Sequence, residues 1–240
     1  MPWPAAFLSM EDAVFSVCRV GLLEQLGIAK ALQAARQRPQ LLLEFGEYAT
    51  HGSFISHSFE FAPHALGTQF PYIRYYLQYF KYFPLTRPRP VPYGETPNRS
   101  RLVFATGTRI GLQEGLNPQH IVLTDRFYAG GGTTVRGFQQ DALGPTLPNG
   151  APIGGNAVFI FNNELRYPLF WIFDAVSFVD VGNVFRQVSD FRFGELREAA
   201  GFGLRLRNPF VVLRFDYGFK LDRRPGEKIG AFFFSIGQAF

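Results

Sequence analysis

The segment Arg126–Gly144, RFYAGGGTTVRGFQQDALG, holds the residues with the clearest chemical content in this 240-residue chain. Gly130, Gly131 and Gly132 allow backbone conformations closed to other residues, so the segment can fold back on itself. Arg136 follows, and Gly137 lets the chain turn sharply and present the guanidinium at a tip. A guanidinium taken out of water needs carboxylate partners. Glu164 in NNELRYPL and Asp180 in FVDVGNVF are the two candidates, because each lies on the polar parity of its segment. An ion-pair anchor by itself accounts for all three residues.

Other chemistries find little support. Four His residues are present, but there is no GxSxG, and Asp180 sits among glycine and apolar neighbours without a nearby Ser–His pair. No enzyme and no cofactor are expected. A single cysteine, Cys18, excludes a disulfide framework and a four-thiolate zinc site, so no metal is expected. The net charge of +5 comes from basic residues that do not cluster into a run, and so not from a stripe of the kind nucleic acid requires.

The elements that would position Arg136, Glu164 and Asp180 follow from the composition and its periodicity. With 47% hydrophobic residues the chain is too apolar to stay disordered, yet no run of about 18 apolar residues indicates a membrane helix. The 28 Phe and 10 Tyr are scattered rather than pooled, which suits strands that turn only half their residues to lipid.

From about residue 51 the apolar period is two. Ile55, His57, Phe59 and Phe61 alternate with Ser56, Ser58 and Glu60. Ile73, Tyr75, Leu77 and Tyr79 oppose Arg74, Tyr76, Gln78 and Phe80, and Leu102, Phe104, Ile110 and Leu112 oppose Gly107, Arg109 and Gly111. Phe159, Phe161, Leu165 and Tyr167 oppose Asn162, Glu164 and Arg166. Near the end, Phe202, Leu204 and Leu206 face away from Gly201, Gly203 and Arg205. Leu213, Phe215, Tyr217 and Phe219 likewise face away from Arg214, Asp216 and Gly218. Phe232, Phe234, Ile236 and Phe240 share the last apolar parity. These stretches approach the roughly 9–11 residues that a tilted strand needs to cross a bilayer. One face carries large apolar groups and the other mixes glycine with charge, which predicts an antiparallel transmembrane β-barrel with a wet lumen rather than a soluble sandwich.

The connections add detail. Residues 167–171 and 207–210 read as tight turns, whereas 84–100, 116–153 and 186–198 are long, a short–long alternation suited to the two sides of such a barrel. Residues 20–38 read as a short amphipathic helix on Leu22, Leu23, Leu26 and Ala29, stopped by Pro39. The first twenty residues lack early Lys or Arg, and Glu11 and Asp12 interrupt any apolar core of an export signal. Residues 1–38 are therefore expected to be an unrelated or misread leader, partly helical, ahead of a barrel that would occupy 39–240 with a long loop at 113–156.

Several of these motifs carry a resemblance. RFYAGGGTTVRGF is similar to the signature of the BamA/TamA family of outer-membrane assembly factors, the bacterial surface antigen family. Its tip would be Val135, Arg136, Gly137 and Phe138. The strand with Asn163-Glu164-Leu165-Arg166, the motif from Phe178 through Gly182 to Phe185, and the ending FSIGQAF follow in the family's order. The likeness covers about residues 51–240. It implies that the loop tucks into the barrel, that Arg136 pairs with Glu164 and Asp180, and that Gly182 and Phe185 complete the strand motif. Phe232, Phe234, Ile236, Gly237 and Phe240 resemble the C-terminal signal by which outer-membrane barrels are themselves recognised.

The resemblance further implies assembly, insertion or translocation of proteins at the outer membrane of a Gram-negative bacterium, by way of the lumen-folded loop and a lateral strand seam. The partners would be outer-membrane lipids, unfolded outer-membrane protein clients, and periplasmic or lipoprotein components, with no nucleic acid. The competing expectation is a passive pore or structural barrel fragment on the same scaffold. About eight strands fit within residues 40–240, against the sixteen or so expected of the family. An eight-stranded barrel has an interior only wide enough for side chains and could not also admit a loop of roughly forty residues. The chain is therefore expected to be the C-terminal half of a barrel.

Overall fold

A computed structural model describes residues 49–63, 71–86, 102–116, 123–170, 173–208 and 211–236. The expected leader 1–38 with its helix, and the signal positions Gly237 and Phe240, lie outside the described residues. The architecture is all-β, built of β1 (Gly52–Ala62), β2 (Tyr72–Pro84), β3 (Val103–Gly115), β4 (Ala157–Pro168), β5 (Phe173–Phe185), β6 (Arg197–Asn208), β7 (Val211–Lys220) and β8 (Gly230–Ile236). The strands form one antiparallel sheet in the order of the chain, each paired with the next.

Register follows parity, because a slip by one residue would exchange the two faces of a strand. Asn162 pairs with Asp180, Glu164 with Phe178, Arg205 with Arg214 and Gly203 with Asp216, so the polar positions form one continuous inner wall. Arg109, Asn162, Glu164, Arg166, Asp180, Arg205, Arg214 and Asp216 are all buried on it. Phe61, Phe202, Leu204, Tyr217, Phe219, Phe232, Phe234 and Ile236 are exposed on the other face. The sheet is thus inverted relative to a soluble domain, with charge inside and large apolar groups outside.

The connections depart from the expected alternation at one place. In this meander the β2–β3 connection lies at the same end as the turns between β4 and β5 and between β6 and β7, so the long 84–100 segment belongs to the end with the tight turns. Leu85 N donates to Leu102 O at 2.8 Å, which brings the two ends of that segment together. The β3–β4, β5–β6 and β7–β8 connections share the opposite end. The first of these spans residues 116–156, since Gln113, Glu114 and Gly115 still pair with β2.

The apolar core lies between that connection and the wall. Ala129, Val135, Phe138 and Leu143 of the loop pack with Val158 and Ile160 of β4, Val184 of β5 and Ala199 of β6. Tyr76 and Phe127 stack against the cluster with ring centroids 5.9 Å apart. Burying these side chains offsets part of the ordering cost of a long irregular segment.

Candidate functional site

The tip of the loop sits on the inner wall and is held there by charge. Asp180 of β5 accepts hydrogen bonds from Arg136 Nε at 2.7 Å, from Nη2 at 2.9 Å and from the Arg136 backbone N–H at 3.0 Å. Glu164 of β4 accepts from Arg136 Nη1 at 2.7 Å. Beneath them the guanidinium lies over the Phe178 ring, 3.5 Å from its centroid. Burial alone would lower the Arg136 pKa, but the Asp180 and Glu164 carboxylates more than reverse this and hold it above the ordinary arginine value. The cation is permanent, and its fork fits two carboxylates as an ammonium could not.

The carboxylates are shared among several cations. Arg166 Nε donates to Glu164 Oε1 at 2.8 Å, and Arg205 Nη2 reaches Glu164 Oε2 at 3.3 Å. Asp216 of β7 accepts from Arg205 Nη1 at 2.6 Å and from Arg214 Nη2 at 2.9 Å. Arg214 Nη2 also donates to the Gly132 carbonyl of the loop at 3.1 Å. Asn162 links the layers, donating to the Thr134 carbonyl at 2.6 Å and to Asp180 Oδ1 at 2.8 Å, while accepting from Arg109 Nη1 at 2.9 Å. Buried charge on this scale is tolerated only when each cation meets an acceptor, as Arg205 and Arg214 meet Asp216.

Two glycines let the backbones touch. Gly137 has φ +101°, a conformation that side chains disfavour. Opposite it, a Cβ on Gly218 of β7 would lie 2.5 Å from Gly137 N and 2.7 Å from Arg136 C, so only glycine fits there.

Phe138 is fixed differently. Its ring lies between Arg197, with Cζ 4.7 Å from the centroid, and Lys220, with Nζ at 4.8 Å. Both cations are held by the β7–β8 connection. Glu227 accepts from Arg197 Nη2 at 2.9 Å and from Lys220 Nζ at 3.3 Å, and Asp222 accepts from Arg197 Nε. The hydrogen bonds from Arg197 outweigh the burial penalty and, with the Arg224 N–H, lower the Glu227 pKa to about 2. At the root of the loop, Arg74 donates to Gln113 Oε1 at 2.9 Å, to Glu60 Oε2 at 3.2 Å and to the Asp125 carbonyl.

The structure therefore brings Val135, Arg136, Gly137, Phe138, Glu164, Phe178, Asp180 and Gly182 into one site, Gly182 lying beside the Val135 side chain. Phe185 lies apart from the Arg136 cluster, with its ring 5.1 Å from Phe191. Phe232, Phe234 and Ile236 are exposed on the outer face of β8, away from the site. Sequence reasoning missed Asp216, Arg205, Arg214 and Asn162 as members of the network. Their signal was available, since they share the inward parity of Glu164 and Asp180.

Fold and site together define a class: an antiparallel membrane-type sheet, apolar outside and charged within, with a long glycine-rich loop pinned to its inner wall. The Omp85 superfamily domain matches residues 45–240, and the chain belongs to that superfamily. It is 30% identical over 204 residues to the outer membrane protein assembly factor BamA of Nitratidesulfovibrio vulgaris, covering 81% of this chain and 24% of that protein. A SAM50-like protein of Schizosaccharomyces pombe is 40% identical over 73 residues, covering 30% of this chain and 15% of the relative. The chain thus spans a quarter or less of the length of these relatives. The crystal structure of BamA from Haemophilus ducreyi lacking POTRA domains 1-3 matches with a TM-score of 0.63 at 21% identity, over 80% of this chain and 39% of that one. That likeness concerns the fold, and it agrees with eight strands of a larger barrel.

Proposed function

We propose that this chain is the barrel part of a factor that assembles or inserts proteins at the outer membrane of a Gram-negative bacterium. The observation that carries the reading is the loop tip locked to the inner wall by Arg136, Glu164 and Asp180, within a superfamily whose relatives include named assembly factors. The lock fixes the loop against the strands, and strand addition at a sheet edge supplies the chemistry of insertion. An edge strand offers N–H and C=O groups to an incoming strand, so a client can add by β-augmentation at a lateral seam. No covalent bond is broken, and no catalytic group is needed. Unfolded outer-membrane proteins are the proposed clients, with membrane lipids and periplasmic or lipoprotein components as partners.

Depleting the complete gene product in cells and measuring folded outer-membrane proteins tests this reading. Their levels fall if it is right. Unchanged levels, with steady single-channel conductance from the purified protein, would instead identify a passive pore.

A further inference from the structure

The β5–β6 connection, residues 186–196, folds over the outside of the sheet. Phe159 of β4 and Phe185 of β5 lie on the outward parity, and the Phe191 ring packs on both at 6.1 and 5.1 Å. Phe193 stacks edge-on against Phe191 at 4.9 Å and reaches Phe159 at 6.3 Å. The short turn Val188–Asp190 extends as far as β3, so the connection crosses the end of β4. Asn183 also has outward parity, where a bare amide facing hydrocarbon would be costly. Its Nδ2 donates to the Glu195 carbonyl at 2.7 Å, and its Oδ1 accepts from Val184 N at 2.9 Å. An inward-looking loop would take the Glu195 carbonyl away from that Nδ2; this one supplies it.

The result is an ordered wedge with an apolar tip. Phe193 is 73% exposed, more than Phe202 at 69% on the lipid-facing side of β6. Beside it Arg192 is exposed and only loosely paired with Glu195 at 3.7 Å. An aromatic that continues the apolar coat of the strands, next to an exposed guanidinium, is the arrangement that settles at the boundary between acyl chains and headgroups. We infer that residues 186–196 form an interfacial anchor that docks on the membrane leaflet at the long-loop end, with Phe193 inserted and Arg192 among the lipid phosphates. This inference rests on the membrane reading proposed above, and it assigns to the β5–β6 connection a lipid-binding role separate from the loop lock.

The test places nitroxide labels on the full chain in a Cys18→Ser background, reconstituted in vesicles of phosphatidylcholine and phosphatidylglycerol. Phe193→Cys is compared with Phe202→Cys and Glu195→Cys by collision with oxygen, which concentrates in lipid, and with a water-soluble nickel chelate. Oxygen collisions dominate at 193 and 202, and chelate collisions dominate at 195. A label at 193 that behaves like 195 while 202 remains in lipid overturns the anchor and spares the membrane reading. A label at 202 that also meets the chelate overturns both. As a second readout, Phe193→Trp with Trp3 and Trp171 replaced by Phe emits to the blue and is quenched by brominated acyl chains. Red, unquenched emission overturns the anchor.

Discussion

Asp180 meets Arg136 through both carboxylate oxygens, taking two guanidinium nitrogens at 2.7 and 2.9 Å and the backbone N–H of the same residue at 3.0 Å. One side chain of β5 therefore fixes both the position and the backbone orientation of the loop tip. Removing either partner should free the tip from the wall while leaving the strand ladder paired.

Arg136→Ala leaves Glu164 and Asp180 without their shared cation, although Arg166 and Arg205 still reach Glu164. Breaking a buried pair typically costs about 3–5 kcal/mol. Arg136→Lys keeps the charge but loses the fork, and it is expected to recover only a minor part of that loss. Denaturant midpoints of the folded, heat-modifiable form compare the three proteins.

Asp216→Asn weakens the hold on Arg205 and Arg214 together. Its cost should approach that of Glu164→Gln. Because Arg205 touches both carboxylates, the double variant should lose less than the sum of the singles, by about 0.5–3 kcal/mol. Strict additivity in a double-mutant cycle would show that the network does not act as a unit.

Gly218→Val drives a side chain into Gly137 and should expel the tip from the wall. Gly194→Ala meets nothing within 4 Å, and its stability should change by no more than about 0.5 kcal/mol. Protease sensitivity of the loop distinguishes the two: Gly218→Val is cut early, and Gly194→Ala matches the parent.

Acid should loosen the Phe138 clamp in a defined window. The folded-state pKa of Glu227 is lowered from 4.5 to about 2, so its contribution is fully present above 4.5 and is lost as the pH falls toward 2. Glu227→Gln should flatten that part of the curve of thermal midpoint against pH. An unchanged curve would mean that the exposed side of this cluster contributes nothing to stability.

Much of this arrangement is legible in the sequence because a strand has only two faces. Alternation places Glu164, Arg205, Arg214 and Asp216 on one side and Phe202, Phe215 and Phe232 on the other, and the register keeps them there. The partners within the wall are not legible. Which carboxylate meets which guanidinium depends on strand stagger and on how far the loop descends, and neither leaves a periodic trace. Loop length puts residues 84–100 at the wrong end of the sheet, because it is a weak guide beside strand count. Phe185 closes the strand motif that begins at Phe178, and an odd step from Asp180 turns it to the other face, where its ring meets Phe191.

Hydrogen exchange at residues 130–138 tests most directly whether Arg136 locks the loop to the wall, because the Arg136 N–H is bonded to Asp180 and the Gly131 N–H to Phe138 O at 3.0 Å. In the parent protein these amides should be protected nearly as well as those of β4 and β5. In Arg136→Ala, protection of 130–138 should collapse while the strands remain protected. Equal protection in both proteins would contradict the lock and leave the apolar packing of Val135 and Phe138 as what holds the loop.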